Sequence, residues 1–217
     1  MELRRTANAG VLLKLDGISI LLDGVCREVK PYPATSPEEK SRLLQSCPDV
    51  LAFTHTHMDH CDPAFAAAWQ RQTGRVILCP GQIPDCRTTH KILHRGGVSI
   101  TPVESRHIGK TEQELRHASL MIQGSRCVWF LGDASPSQWK GREELPRPDV
   151  LIVPYAYATT PAAWEATKAL GAEQIVLLHL PPREDDPVGL WSAVENTAGE
   201  ALGSLLLIPE MGQTLML

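Results

Sequence analysis

A chain of 217 residues, 43% of them hydrophobic, has the material for a buried core and for one large domain or two small ones. Its net charge of −4, with no basic run, excludes a broad nucleic-acid face, though not a small nucleotide substrate. No segment approaches the ~20 apolar residues that a membrane-spanning helix requires. The start Met1-Glu2-Leu3-Arg4-Arg5 lacks the apolar stretch and small-residue cleavage site of a signal peptide. Six cysteines (Cys26, Cys47, Cys61, Cys79, Cys86 and Cys127) are scattered with no CxxC pair, which reads as free thiols rather than a disulfide framework. A cytoplasmic protein without membrane contact is expected.

In chain order, the N-terminal residues enter a short strand-like run. Strands over 11–15 and 18–22 follow, joined by Asp16-Gly17, a pair suited to a two-residue hairpin turn. Ser36-Pro37-Glu38-Glu39 supplies an N-cap, a proline at the first helical position and a capping-box glutamate, predicting a helix over 37–46. A strand over 50–53 comes next. Asp62-Pro63 repeats the cap-then-proline signal and Gly74 supplies a stop, predicting a helix over 63–73. After a strand over 76–79, a helix is expected over 82–95. Strands over 98–103, 120–123 and 127–131 follow, the last two joined at Gly124-Ser125. A short helix is expected near 137–145 and a strand over 150–154. Thr160-Pro161 and Gly171 bracket a helix over 161–170, before a strand over 175–178. Asp186-Pro187 and Gly203 bracket one over 187–202, before a strand over 205–208.

The halves echo one another. Pro48-Asp49-Val50-Leu51 recurs as Pro148-Asp149-Val150-Leu151, and the hairpin over 9–23 resembles 118–133 with one extra residue. Val76-Ile77-Leu78-Cys79 lines up with Val176-Leu177-Leu178-His179. An internal duplication read this way places Asp23 and Asp133 at equivalent strand ends, and likewise Cys79 and His179.

The chemistry concentrates in His55-Thr56-His57-Met58-Asp59-His60, directly after an apolar run. Three imidazoles and a carboxylate this close repel once a histidine is charged, and they cost desolvation where the loop is buried. A cation removes both penalties. His55 and His57 can share a face while Asp59 and His60 point elsewhere, so one loop can serve two neighbouring metals. Further ligands are available where predicted strands end, at His107, Asp133 and His179. His117 also precedes a strand, and His107 is preferred because it ends one. His90 and His94, one helical turn apart, lack a third partner and read as a solvated face. There is no GxSxG elbow and no Walker A loop.

This order of motifs resembles the metallo-β-lactamase superfamily, whose members carry HxHxDH, then a His, an Asp and a His. The resemblance spans nearly the whole chain. It implies an α/β fold: a four-layer αββα sandwich of two mixed β-sheets with pseudo-twofold halves, a single domain over 1–217. It implies that His55, His57 and His107 bind one metal, that Asp59, His60 and His179 bind a second, and that Asp133 bridges them. Asp23 matches the family's early structural aspartate. Asp59-His60-Cys61-Asp62 is similar to the DHxD form of the branch with ascorbate-6-phosphate lactonase and phospholipase-D-like members, although Asp62 also has a sufficient role as an N-cap.

The activity so implied is metal-dependent hydrolysis, with two zinc ions (manganese or iron as substitutes) activating a water that Asp59 and Asp133 orient. An ester, lactone or phosphodiester of a small metabolite is the expected substrate. His117, Tyr155 and Tyr157 are candidate proton donors. Arg106, Lys110 and Arg116 are a candidate anion-binding rim. The length leaves no room for a clamp domain, which weighs against a large nucleic acid. Two other readings share the loop: a mono-iron oxidoreductase of the persulfide-dioxygenase kind, and a non-catalytic metal-containing binding protein. Specificity is expected in the loops near 24–35, 104–117, 134–147 and 155–160.

Overall fold

The computed structural model describes residues 1–109, 115–139 and 144–217. The turn at Asp16-Gly17 has both residues at positive φ, 50° and 78°. It joins β2 (Val11–Leu15) to β3 (Ile18–Leu22) as an antiparallel pair. From β3 the sheet grows by parallel addition of β4 (Val50–Ala52), β5 (Ile77–Leu78) and β6 (Thr88–Thr89). On its other side stand β1 (Glu2–Arg5) and then the C-terminal β14 (Thr214–Met216). The second sheet repeats the plan. An antiparallel hairpin of β9 (Ala118–Gln123) and β10 (Cys127–Phe130) is followed in parallel by β11 (Val150–Pro154), β12 (Gln174–Leu178) and β13 (Leu206–Leu207). The far side carries β8 (Val98–Glu104) and β7 (Leu93–Arg95).

Alternation along the strands decides the layering, because successive side chains leave opposite faces. Leu13, Ile20, Leu22 and Ala52 of the first sheet meet Ile100, Leu120, Ile122, Phe130 and Ile152 of the second in one core. The opposite face of the first sheet, with Leu21 and Leu51, is covered by Leu43 of α1 (Pro37–Ser46) and by Phe65 and Trp69 of α2 (Pro63–Thr73). Trp129, Leu151 and Leu177 of the second are covered by Trp164 of α3 (Pro161–Ala169) and Val194 of α4 (Leu190–Ala198). The expected αββα sandwich of two mixed sheets is found.

Helix starts follow the caps. Ser36 Oγ accepts the Glu39 amide, Asp62 accepts those of Ala64 and Phe65, and Thr160 accepts that of Ala163. Glu39 pairs with Arg4 and Arg42 rather than closing a capping box. Asp186 also caps, but through the amides of Leu190 and Trp191, so α4 starts three residues later than its proline signal. A 3-10 turn over Gly199–Ala201 completes it.

Elsewhere the expectation fails. No helix forms over 82–95. Pro84 lacks the amide that a helix interior requires, β-branched Thr88 and Thr89 pair with β5, and Gly96-Gly97, both at positive φ, turn β7 back onto β8. His90 therefore lies in a loop and His94 on a strand, so the helical spacing does not apply. Near 137–145 there is a 3-10 turn over Pro136–Gln138, and residues 140–143 of that expectation lie outside the described residues.

The internal echo has a physical basis. Asp49 accepts the Ser19 amide at 3.1 Å, and Asp149 accepts the Cys127 amide at 2.6 Å, fastening each parallel strand to its hairpin at the same register. The equivalence of Cys79 with His179 is corrected, however. Ala52 pairs with Leu78 whereas its counterpart Ile152 pairs with Val176, so His179 lies two residues further along. Asp133 likewise lies two residues beyond the counterpart of Asp23, after the inserted turn.

Candidate metal centre

The site is assembled at one end of the sandwich, where β3, β4, β10 and β12 run out. Asp23, wholly buried, follows β3 with φ 45°. Its Oδ1 accepts the Thr54 amide at 2.7 Å, and its Oδ2 accepts the Thr54 hydroxyl at 2.6 Å and His60 Nδ1 at 2.8 Å. The metal-loop backbone is thus pinned at Thr54. The amides of His60 and Cys61 then both turn back to the His57 carbonyl. Asp62 closes the loop by capping α2 and pairing with Lys40 at 2.7 Å.

These bonds fix tautomers. Thr54 has spent its hydroxyl hydrogen on Asp23, so toward His55 Nδ1, 3.0 Å away, it can only accept. His107 Nδ1 faces the Ile108 carbonyl, which also only accepts. His60 Nδ1 faces the Asp23 carboxylate. Each ring therefore carries its Nδ1 hydrogen outward and offers Nε2 inward.

The Nε2 atoms converge. Ligand atoms of His55, His57 and His107 lie within 4.8 Å of one another, and so do those of Asp59, His60 and His179. His60 and His179 Nε2 are 3.1 Å apart, and Asp59 Oδ2 is 3.3 Å from His179 Nε2. Asp133 Oδ2 reaches both groups, at 3.4 Å from His60, 3.5 Å from His107 and 3.6 Å from His179. His55 Nε2, His107 Nε2 and Asp133 Oδ1 are buried without a hydrogen-bond partner, a costly state for polar atoms that a cation relieves. A third group, Asp23 with His55 and His60, is also close, but Asp23 is already committed to Thr54 and His60. The two clusters suit a two-metal site.

Charge in the pocket is tightly coupled. Burial opposes charge on His60, yet Asp133 and Asp23 outweigh it and carry its pKa well above the ordinary imidazole value. Burial would raise Asp133, but His179, His60 and His55 hold it well below the usual carboxylate range. Asp59 is lowered on balance by His179 and His60 against burial. Burial pushes His55 and His107 down.

The remaining singled-out residues separate cleanly. His117 is buried but not aimed at the clusters: its Nε2 accepts the Asp133 amide at 3.1 Å, and burial lowers its pKa to about 3. Tyr157 is core, its hydroxyl accepting from Trp139 Nε1 at 2.6 Å. Tyr155 is half-buried, with its ring 5.8 Å from that of His179. Arg106 is exposed and bonds Ser137, Arg116 is exposed, and Lys110 lies outside the described residues. Sequence reasoning missed Tyr32, whose ring meets His179 edge-on at 4.6 Å and whose hydroxyl faces the His179 carbonyl. It also missed Asn8, whose carbonyl accepts the His179 amide and whose side chain faces His179 Nδ1 at 3.4 Å. Only the placing of Tyr32 between two prolines, in a loop already marked for specificity, hinted at either.

A search of curated proteins finds no match. Among solved structures, an isothiocyanate hydrolase from Delia radicum gut bacteria superposes with a TM-score of 0.71 at 17% identity, covering 100% of this chain and 99% of that one. A possible metal-dependent hydrolase from Veillonella parvula gives the same values. Igni18, a metallo hydrolase from Ignicoccus hospitalis, gives 0.68 at 20% identity over 99% and 97% of the two chains. These likenesses establish the fold. The family model for the beta-lactamase superfamily domain matches residues 2–179, which takes in β1 to β12 and every residue of the two clusters. Two hairpin-led sheets meeting at paired histidine–aspartate clusters, together with that match, make this chain a member of the metallo-β-lactamase superfamily.

Proposed function

We propose that the chain is an enzyme, a hydrolase that works with two divalent cations, zinc in the first instance, on an ester, lactone or phosphodiester bond of a small metabolite. His55, His57 and His107 hold one ion, Asp59, His60 and His179 the other, and Asp133 bridges them. The observation that carries this reading is the placing of Asp133 Oδ2 within 3.6 Å of Nε2 atoms from both groups. When bound, the cations supply an acidified water and a Lewis acid for the substrate's oxygen. The protein's own groups do the rest. The Asp59 and Asp133 carboxylates, both held ionised, accept hydrogen bonds from the attacking water and orient it. Thr54, Asp23 and Ile108 keep their ligand histidines in one tautomer, so the site needs no rearrangement before reaction. Tyr32 and Tyr155 flank His179, and burial raises both phenols, which therefore stay protonated. They can donate a hydrogen bond to the departing oxygen. A cytoplasmic location belongs to the same proposal; among the described residues no helix is long and apolar enough to cross a membrane.

The test is a hydrolysis screen of metal-loaded protein over phosphodiesters, lactones and thioesters, with isothiocyanates added because a solved neighbour hydrolyses one. Turnover is expected with at least one class and is lost in Asp59→Ala. Activity that survives in Asp59→Ala contradicts the mechanism, and one tightly held iron per chain contradicts the two-metal hydrolase.

A further inference from the structure

His117 sits beside two of the proposed ligand histidines, 5.0 Å from His55 and 5.7 Å from His107 between ring centroids. Its hydrogen bonds nonetheless withdraw it from any metal. The Asp133 amide can only donate, so it consumes the lone pair of His117 Nε2. The Nδ1 hydrogen then points to Ser105 Oγ, 2.7 Å away. Ser105 Oγ also accepts the Ser119 amide at 2.9 Å, so its own hydrogen passes to Ser119 Oγ at 3.1 Å, and Ser119 Oγ donates to the Leu131 carbonyl at 2.9 Å. The chain of donors is closed, and all three side chains in it are buried. It grips both ends of the turn Leu131-Gly132-Asp133. The same short segment fastens two more ligand-bearing pieces: the Ser105 amide donates to the His117 carbonyl, and the Ala118 amide donates to the Thr54 carbonyl.

We infer that His117, acting with Ser105 and Ser119, is a positioning residue that sets the bridging carboxylate of Asp133 against the histidine loop and His107, and so sets the spacing of the two metal subsites. This rests on the metal reading above. The three ligand-bearing segments leave different strands of two different sheets, and 117–119 is where their backbones are tied together. A histidine serves here because it presents an acceptor and a donor on opposite ends of one rigid ring. Glutamine offers the same pair of functions on its amide, and phenylalanine offers neither.

The test compares wild type with His117→Gln, His117→Phe and Ser105→Ala, measuring bound metal by elemental analysis, affinity by competition with a chromophoric chelator, and the visible spectrum of the cobalt-substituted protein. Outer partners of metal sites typically contribute about 10- to 100-fold in affinity. His117→Phe is expected to keep its circular dichroism but lose at least about tenfold in affinity for one of two ions, with a changed cobalt spectrum. His117→Gln should restore both readouts to within about threefold of wild type, and Ser105→Ala, a milder change, should move them in the same direction as His117→Phe by a smaller amount. Two ions bound by His117→Phe with wild-type affinity and spectrum overturn the inference. So does a glutamine variant no better than phenylalanine. If His117→Phe fails to fold, Ser105→Ala with an unchanged spectrum does the same. Wild type that takes up no metal sinks the hydrolase reading itself, an outcome distinct from loaded wild type with an indifferent variant.

Discussion

Asp23→Asn replaces one oxygen by an amide nitrogen at the point on which the metal loop hangs. Asp23 accepts three hydrogen bonds, from the Thr54 amide, the Thr54 hydroxyl and His60 Nδ1. Asparagine keeps the first. Its amide hydrogens then face Thr54 Oγ1 and His60 Nδ1, where both partners had been donating. Thr54 can accept only by turning its own hydrogen toward His55 Nδ1, so His55 and His60 are both driven to carry hydrogen on Nε2, the atom they offer to a cation. Relative to wild type, the binding tautomers in the variant lack one neutral hydrogen bond at His55 and the charge-assisted bond at His60, about 2–4 kcal/mol together. At about 1.4 kcal/mol per decade, metal affinity should fall roughly 30- to 1,000-fold. Chelator competition on refolded, metal-loaded protein reads this directly, with circular dichroism as the control for folding. Asp23→Asn that is folded and binds both ions within about threefold of wild type would refute the tautomer argument.

The other predictions address neighbouring parts of the same structure. His60 has its pKa raised well above 6.5, so chelated protein holds a proton there at pH 7 that a cation must displace. Affinity should climb with pH until the folded pKa is passed, by about tenfold per unit, and calorimetry in buffers of different ionisation enthalpy should count about one proton released; heats independent of buffer count against it. Asp62→Ala removes the cap of α2 and the partner of Lys40 while touching neither cluster. It should lower stability by about 1–2 kcal/mol in urea melts and leave two ions bound, whereas loss of an ion would return Asp62 to the site. Gly132→Ala meets Thr54 at 2.5 Å with φ at 53°. About 2–4 kcal/mol of destabilisation is expected, along with weakened metal binding, and a wild-type melt would exclude close packing of the two loops.

Most elements were legible because they depend on local chemistry, and the layers because the motif order resembles a known family. Asp16-Gly17, Ser36-Pro37, Asp62-Pro63 and Thr160-Pro161 act within a few residues, and the structure has a turn or helix start at each. Short apolar runs bounded by turn residues marked the strands for the same reason. The region over 82–95 was misread because β6 and β7 are very short, of two and three residues, and are held by β5 and β8 rather than by their own sequence. Asp186 was read correctly as a cap but with the wrong span, since its two oxygens reach amides four and five residues on.

For the site, the dense loop over 55–60 nominated four of the seven proposed ligands, and strand ends nominated His107, Asp133 and His179, because a polar group that closes an apolar strand is delivered to the rim of a core. Their partners were not readable. Asp23 and Thr54 are 31 residues apart, Asn8 and His179 are 171 apart, and Tyr32 and His179 are 147 apart. Nor was it readable that His117, a histidine among histidines, has its lone pair taken by a backbone amide. The sequence alone determined the donor chemistry and the starts of α1, α2 and α3, which follow from residue type and short-range capping, while the two-sheet plan was carried by the resemblance of the motif order. Only the tertiary structure decided which nitrogen each imidazole turns inward, since a tautomer is set by whichever donor or acceptor the fold brings against the other side of the ring.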